Sequence, residues 1–216
     1  MSDAKKAKIF FREELSHIQK PGIRDFTLMC FEKLTASYFW DFTASSTQTH
    51  HPKVSNKEHG LVLHTKLAVW WGRHLAERSN VRNLDVIVSA LLLHDLQKFG
   101  KILDENKKPT LAEYLETHGP LLAVQIENIY HSMNVNDEIK KDIKSIITCV
   151  AWHMGRWTNK SLSSSWKIKE SEKERMGDEK MVEIRQVEIV QLADFAASRK
   201  VDAKLEELDS YKFLEV

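Results

Sequence analysis

His94 and Asp95 stand side by side where an apolar run, Val86-Ile87-Val88-Ser89-Ala90-Leu91-Leu92-Leu93, gives way to polar residues. Neighbours on a helix point about 100° apart, so two such side chains meet only at a point over the edge between their faces. A metal ion is such a point. Imidazole nitrogen and carboxylate oxygen are the donors that suit Zn, Mn, Fe or Mg. A solvated pair at a helix end is the plainer explanation of an isolated His-Asp dipeptide. This one is not isolated. Further candidate ligands stand in similar apolar helical contexts: His64 in Gly-Leu-Val-Leu-His-Thr, His118 in Glu-Thr-His-Gly, His153 in Ala-Trp-His-Met-Gly and Asp194 in Gln-Leu-Ala-Asp-Phe-Ala-Ala-Ser.

The order His64, His94-Asp95, His118, His153, Asp194 resembles the HD-domain superfamily of metal-dependent phosphohydrolases. Its pattern is one His, then His-Asp, then a distant Asp, with two more His between in the two-metal subfamilies. The resemblance covers about residues 44 to 200 and implies an all-α fold, a single-domain helical bundle. It also implies two divalent ions as cofactor, drawn from Mn, Mg, Fe or Zn. His64, His94, Asp95 and Asp194 would hold one ion, and Asp95 would bridge to a second held by His118 and His153. Six protein ligands are too many for one tetrahedral zinc with an open position. Two ions ~3.5–4 Å apart activate water and neutralise a phosphoryl group under in-line attack. The implied activity is therefore hydrolysis of a phosphomonoester or phosphodiester bond in a nucleotide or cyclic nucleotide.

Asp95 and Lys98 are the expected catalytic residues, Lys98 matching the lysine of the family's His-Asp-x-x-Lys pattern, where an ammonium can hold a substrate phosphate as a point charge. The same lysine would also suit a helix C-terminus as a solvated charge. Arg156 is a candidate phosphate fork. The hydroxyl-rich stretch before the first ligand resembles a Ser-Ser-Thr…His-Pro element of one branch of HD proteins, followed there by Gly-Gly-Leu-Val-x-His-Thr-Lys. It makes Ser45, Ser46, His51 and Lys66 substrate-side candidates, although His59 stands where that branch has a glycine. Among the tryptophans, Trp157 is the one expected beside the site. Two rivals share the scaffold: an HD-type di-iron oxygenase, and a non-catalytic HD nucleotide-binding module, whose usual mark is a lost ligand.

The rest of the chain bounds these readings. With 216 residues, 32 Lys plus Arg against 31 Asp plus Glu, and a net charge of +1, there is no global field that demands a nucleic-acid polymer or an anionic membrane. The expected partner is a small phosphorylated molecule, and a homo-oligomer is compatible with the composition. Cys30 and Cys149, both in apolar helical contexts, suit buried free thiols. The apolar runs fall short of the ~20 residues of a membrane helix, and the polar start lacks a signal core, so the expected location is cytoplasmic.

Positioning six ligands requires helices. Apolar spacing predicts them over 6–20 and 24–40 around Pro21-Gly22, then 61–77, a central helix 84–98 that is apolar almost all round, 136–152 ending near Gly155, and 181–200. Thr110-Leu111-Ala112-Glu113 reads as a capping box. Gly119-Pro120 breaks the pattern after it and can start a helix with His118 at its mouth. One domain over 1–216 is expected, with helices of 1–42 packed on a core of 61–200, a substrate-side loop at 43–60, a polar loop or lid at 158–180 and a tail at 201–216. No alternating strand pattern and no internal repeat are present.

Overall fold

The computed structural model describes residues 1–44, 52–99, 118–155 and 178–199, with residue 54 and residues 178–183 described by backbone alone. Among the described residues all regular structure is helical: α1 (Asp3–Phe10), α2 (Arg12–Ser16), α3 (Pro21–Leu34), a 3-10 turn at Lys53–Ser55, α4 (Gly60–Arg78), α5 (Leu84–Leu93), α6 (His118–His131), α7 (Asp137–Trp152) and α8 (Asp178–Ala197). The all-α bundle expected from the sequence is the fold observed.

α5 is its axis, because every residue from Asp85 to Leu93 is buried. Its neighbours are α4, α7, α3 and α8; α8 also lies along α4, and α6 lies along α7. α4 and α5 come close at Gly72, where a Cβ would collide with the Leu91 side chain and meet Ile87 Cγ2 at 3.2 Å. Cys30 and Cys149 are buried and neither forms a disulfide. No helix among the described residues is long and apolar enough to cross a membrane.

A partly buried polar knot sets the relative placement of α3, α5 and α7. Asp85 accepts the backbone amides of Gln19 (3.0 Å) and Lys20 (2.7 Å), at the start of α3. Lys20 Nζ in turn reaches Glu138 (2.7 Å) and Asp142 (2.8 Å), and Asn83 Nδ2 donates to Asp142 Oδ1 at 2.7 Å. Asp85 and Asn83 belong to the beginning of α5, and Glu138 and Asp142 to the beginning of α7. The two helices therefore run parallel from a shared tie, and both deliver their C-terminal ends, with His94 and His153, to the same end of the bundle.

Several predicted boundaries shift, each for a tertiary reason. The helix expected over 6–20 breaks at Phe11 (φ −113, ψ 30), whose ring is buried against Phe31, Phe39 and Trp40 at centroid distances of 5.6, 6.4 and 6.1 Å. The helix expected over 24–40 begins at Pro21 instead of after it, as proline's fixed φ allows, and stops at Leu34. Thr35 Oγ1 donates to Phe31 O at 2.6 Å there, and the following turns bury Tyr38, Phe39 and Trp40 together, which a continued helix would splay about 100° apart. The capping box at 110–113, the polar segment 158–177 and the tail 201–216 lie outside the described residues.

Replacing Asp85 leaves two backbone amides without their charged acceptor. Asp85→Ala should destabilise the fold by about 2–3 kcal/mol, read as a lower midpoint of chemical unfolding with an unchanged slope.

Candidate metal centre

Five elements bring the six predicted ligands together. His64 lies in the first turns of α4, and Asp194 near the end of α8. His94 and His153 occupy equivalent places, each the residue after the last of its helix. At that position the carbonyls of the final turn lack intrahelical partners. His94 Nδ1 takes Leu91 O (2.6 Å) and His153 Nδ1 takes Val150 O (2.8 Å). A carbonyl only accepts, so both Nδ1 atoms carry hydrogen, and in the neutral rings Nε2 holds the lone pair. The predicted helix 84–98 ends early for this reason: past Leu93 the chain tightens into turns with Leu96 N donating to Leu93 O and Lys98 N to Asp95 O.

His118 opens α6, and Gly119 behind it permits the approach to α7. A Cβ on Gly119 would lie 2.9 Å from Val150 O, 3.1 Å from Ala151 O and 3.1 Å from His153 Cε1. The glycine read from the sequence as a helix break thus lets the two histidines meet.

The Nε2 and carboxylate oxygen atoms form two groups. In the first, His64 Nε2 is 3.2 Å from His94 Nε2, 3.4 Å from Asp95 Oδ2 and 3.1 Å from Asp194 Oδ1, and His94 Nε2 is 3.4 and 3.6 Å from the same two oxygens. In the second, His118 Nε2 is 3.1 Å from Asp95 Oδ1 and 2.9 Å from His153 Nε2, which is 3.7 Å from Asp95 Oδ1. Bonds of about 2.0–2.2 Å to one ion put ligand atoms about 2.8–3.1 Å apart at right angles and about 3.3–3.6 Å apart in a tetrahedron. The observed spacings span that range, so the residues fit an ion at each group. Asp95 gives Oδ2 to one group and Oδ1 to the other, the division a bridging carboxylate needs. Five of the six side chains are buried, and Asp194 is partly buried at 13% exposure.

Burial opposes charge on Asp95, but His94, Lys98 and hydrogen bonds from His118 and His64 overcome it and hold this carboxyl well below the usual range. Asp194 is likewise depressed against its burial by His64 and His94. For His94 the same two carboxylates outweigh burial and carry its pKa up to about 10. Burial, helped by His118 and His94, pushes His153 down to about 3. The first group without an ion thus holds a proton on His94 at neutral pH, while His153 is neutral and ready to ligate.

Lys98 also reaches the cluster, its Nζ 2.6 Å from Asp95 Oδ2 and its side chain 14% exposed. It comes from three residues past Asp95 in a turn, not from one helical turn past His94 as expected, and its partner is a ligand carboxylate. Lys66 is not brought to the cluster. It is buried on another face of α4, where it lines a cleft with Glu14 and Arg73. Two residues along a helix turn a side chain about 200°, which points Lys66 away from His64. Ser45, Ser46, His51, Arg156 and Trp157 lie outside the described residues. Trp70 and Trp71 pack edge to face at 4.8 Å on α4.

Three supporting residues were not anticipated. Gln191, one turn before Asp194, donates from Nε2 to Trp152 O at 2.8 Å and so staples α8 to the end of α7 beside His153. Gln97 and Gln125 exchange hydrogen bonds of 2.9 and 3.2 Å, and Gln97 Nε2 also donates to Leu34 O at 2.8 Å, fixing the turn that follows Asp95. Polar amides within otherwise apolar stretches were the available signal. Comparison of the chain with protein-family models, curated proteins and solved structures gives no match.

Three outcomes follow. Metal binding at pH 7 to 8 should displace the His94 proton, so the calorimetric heat should vary with the ionisation enthalpy of the buffer, and a buffer-independent heat would contradict the His94 assignment. The sign for the metal-free fold is set by the same group: its charge stabilises fully below pH 6.5, and that contribution is lost as the pH rises through about 10, whereas the contributions of Asp95 and Asp194 are lost on acidification. Gly119→Ala should push α6 from α7 and separate His118 from His153. Elemental analysis should then show loss of ion from the second group with the first retained.

Proposed function

We propose that the chain is an HD-type metal-dependent phosphohydrolase that cleaves a phosphoester bond of a nucleotide or cyclic nucleotide with two divalent ions bound. The observation that carries this reading is the split of Asp95 between the two ligand groups, Oδ2 at 3.4 Å from His64 and His94, Oδ1 at 3.1 Å from His118. A pair of such ions supplies activated water at neutral pH and positive charge against the phosphoryl oxygens.

The chain's own residues do the rest. The Leu91 and Val150 carbonyls fix the tautomer and direction of His94 and His153 before any ligand arrives, so no reorganisation is needed there. Lys98 stands at the edge of the cluster, its Nζ 2.6 Å from Asp95 Oδ2. On a carboxylate already shared by two groups it both holds Asp95 ionised and offers N–H donors to a phosphate oxygen arriving beside it, a contact that strengthens as negative charge shifts in the transition state. His153 stays neutral, which spares the second group a like-charge repulsion when a cation enters.

The test combines metal analysis of the purified chain with a screen of deoxynucleoside triphosphates, nucleoside monophosphates and cyclic mono- and dinucleotides. Release of phosphate or ring opening with a redox-silent ion supports the reading. A coloured, O2-reactive iron pair without hydrolysis would replace it with the oxygenase, and metal without turnover on any of these would replace it with a binding module. On the hydrolysed substrate Lys98→Ala should retain its metal and lose roughly 10²-fold in kcat. Wild-type kinetics would reduce Lys98 to a helix-end charge.

A further inference from the structure

His153, a ligand of the second group, is held from the helix that carries a ligand of the first. The buried residues of α7 end at Val150, and residues 151–155 carry the chain past them with His153 among them. Val150 O and Trp152 O both belong to the last turn of α7, where the helix supplies no partners of its own. His153 Nδ1 takes Val150 O at 2.8 Å, which aims the ring relative to α7 alone. Trp152 O is taken from outside, by Gln191 Nε2 of α8 at 2.8 Å. The same amide lies against Gly155, where a Cβ would stand 3.3 Å from Gln191 Cδ and Oε1. One side chain of α8 thus touches the chain on both sides of His153.

α8 does not depend on that contact for its own place. It lies along α4 and buries Val187, Val190, Ala193 and Ala197 in the core. A Cβ on Gly72 of α4 would be 3.6 Å from Ala193 Cβ. Burying four apolar side chains outweighs one hydrogen bond, so Asp194 keeps its position beside His64 when the bond of Gln191 is lost. The turn past Val150 has less to fall back on. His153 is also one of only three side chains in its group, with Asp95 and His118, whereas the first group has four.

We infer that Gln191 is a positioning residue for the second ion and not for the first, although it stands one turn from Asp194. Its bond to Trp152 O sets where His153 Nε2 lies relative to His118 Nε2 (2.9 Å) and Asp95 Oδ1 (3.7 Å). The inference rests on the two-ion centre of the proposed phosphohydrolase and concerns the binding of ions, not hydrolysis.

Equilibrium dialysis of the full chain against graded Mn, with bound metal measured by elemental analysis, tests it without a substrate. The wild-type chain should take two ions. Gln191→Met keeps the length of the side chain and removes the donor. Its second ion should weaken by about tenfold, the lower end for a residue that supports a ligand, while its first binds as in the wild type. In a His118→Ala chain, where only the first group is complete, the same substitution should change nothing. The retained first ion reports that α4 and α8 are packed together, so a misfolded chain cannot mimic this result. Equal binding of both ions by Gln191→Met and wild type, or a first ion weakened as much as the second, would overturn the role of Gln191 and leave the two-ion centre standing. A wild-type chain that takes one ion would overturn both, and two ions without turnover on any substrate would remove only the proposed activity.

Discussion

Two carboxylates and four imidazoles buried at one point constrain everything else in this chain. A carboxylate removed from water is costly unless positive charge and hydrogen bonds meet it. Asp95 and Asp194 are met by the His94 proton, by His64 and His118, and at Asp95 by Lys98 at 2.6 Å. Ring nitrogens 2.9 and 3.2 Å apart cannot both present lone pairs to each other without cost. A proton or a cation between them removes it. The cluster is a set of acceptors waiting for positive charge, and the bundle is arranged to keep it so.

That arrangement is made far from the ligands. The Asp85, Lys20 and Asp142 knot fixes the beginnings of α5 and α7, and about ten to sixteen residues later both helices end with a histidine turned onto a carbonyl of its own final turn. The same local device appears twice, at His94 and His153. Gly119 then allows α6 to close on α7, and Gln191 allows α8 to close on Trp152 O. Helices and the first turn after α5 carry these six side chains, which suits a metal site, whose bond lengths tolerate errors of only about 0.2 Å.

The six-residue cluster was legible in the sequence because residue type, order and apolar context coincide: each of His64, His94, Asp95, His118, His153 and Asp194 stands at a helix end or on a buried face. α5 was legible because it is apolar all round. What could not be read was the product of tertiary contacts. Phe11 breaks a helix that has no Pro or Gly because an aromatic pocket takes its ring. The end of α5 at Leu93 depends on where His94 finds a carbonyl. Lys66 was expected on the substrate side from its place in a motif, and its cleft with Glu14 and Arg73 depends on how α2 packs on α4.

Diffraction from crystals grown with Mn, recorded where that ion scatters anomalously, measures the bridging role of Asp95 directly. Two anomalous peaks ~3.5–4 Å apart should lie one on each side of Asp95, with Oδ2 on the ion among His64, His94 and Asp194 and Oδ1 on the ion between His118 and His153. A single peak, or both Asp95 oxygens on one ion with His118 and His153 left unligated, would contradict the two-ion centre.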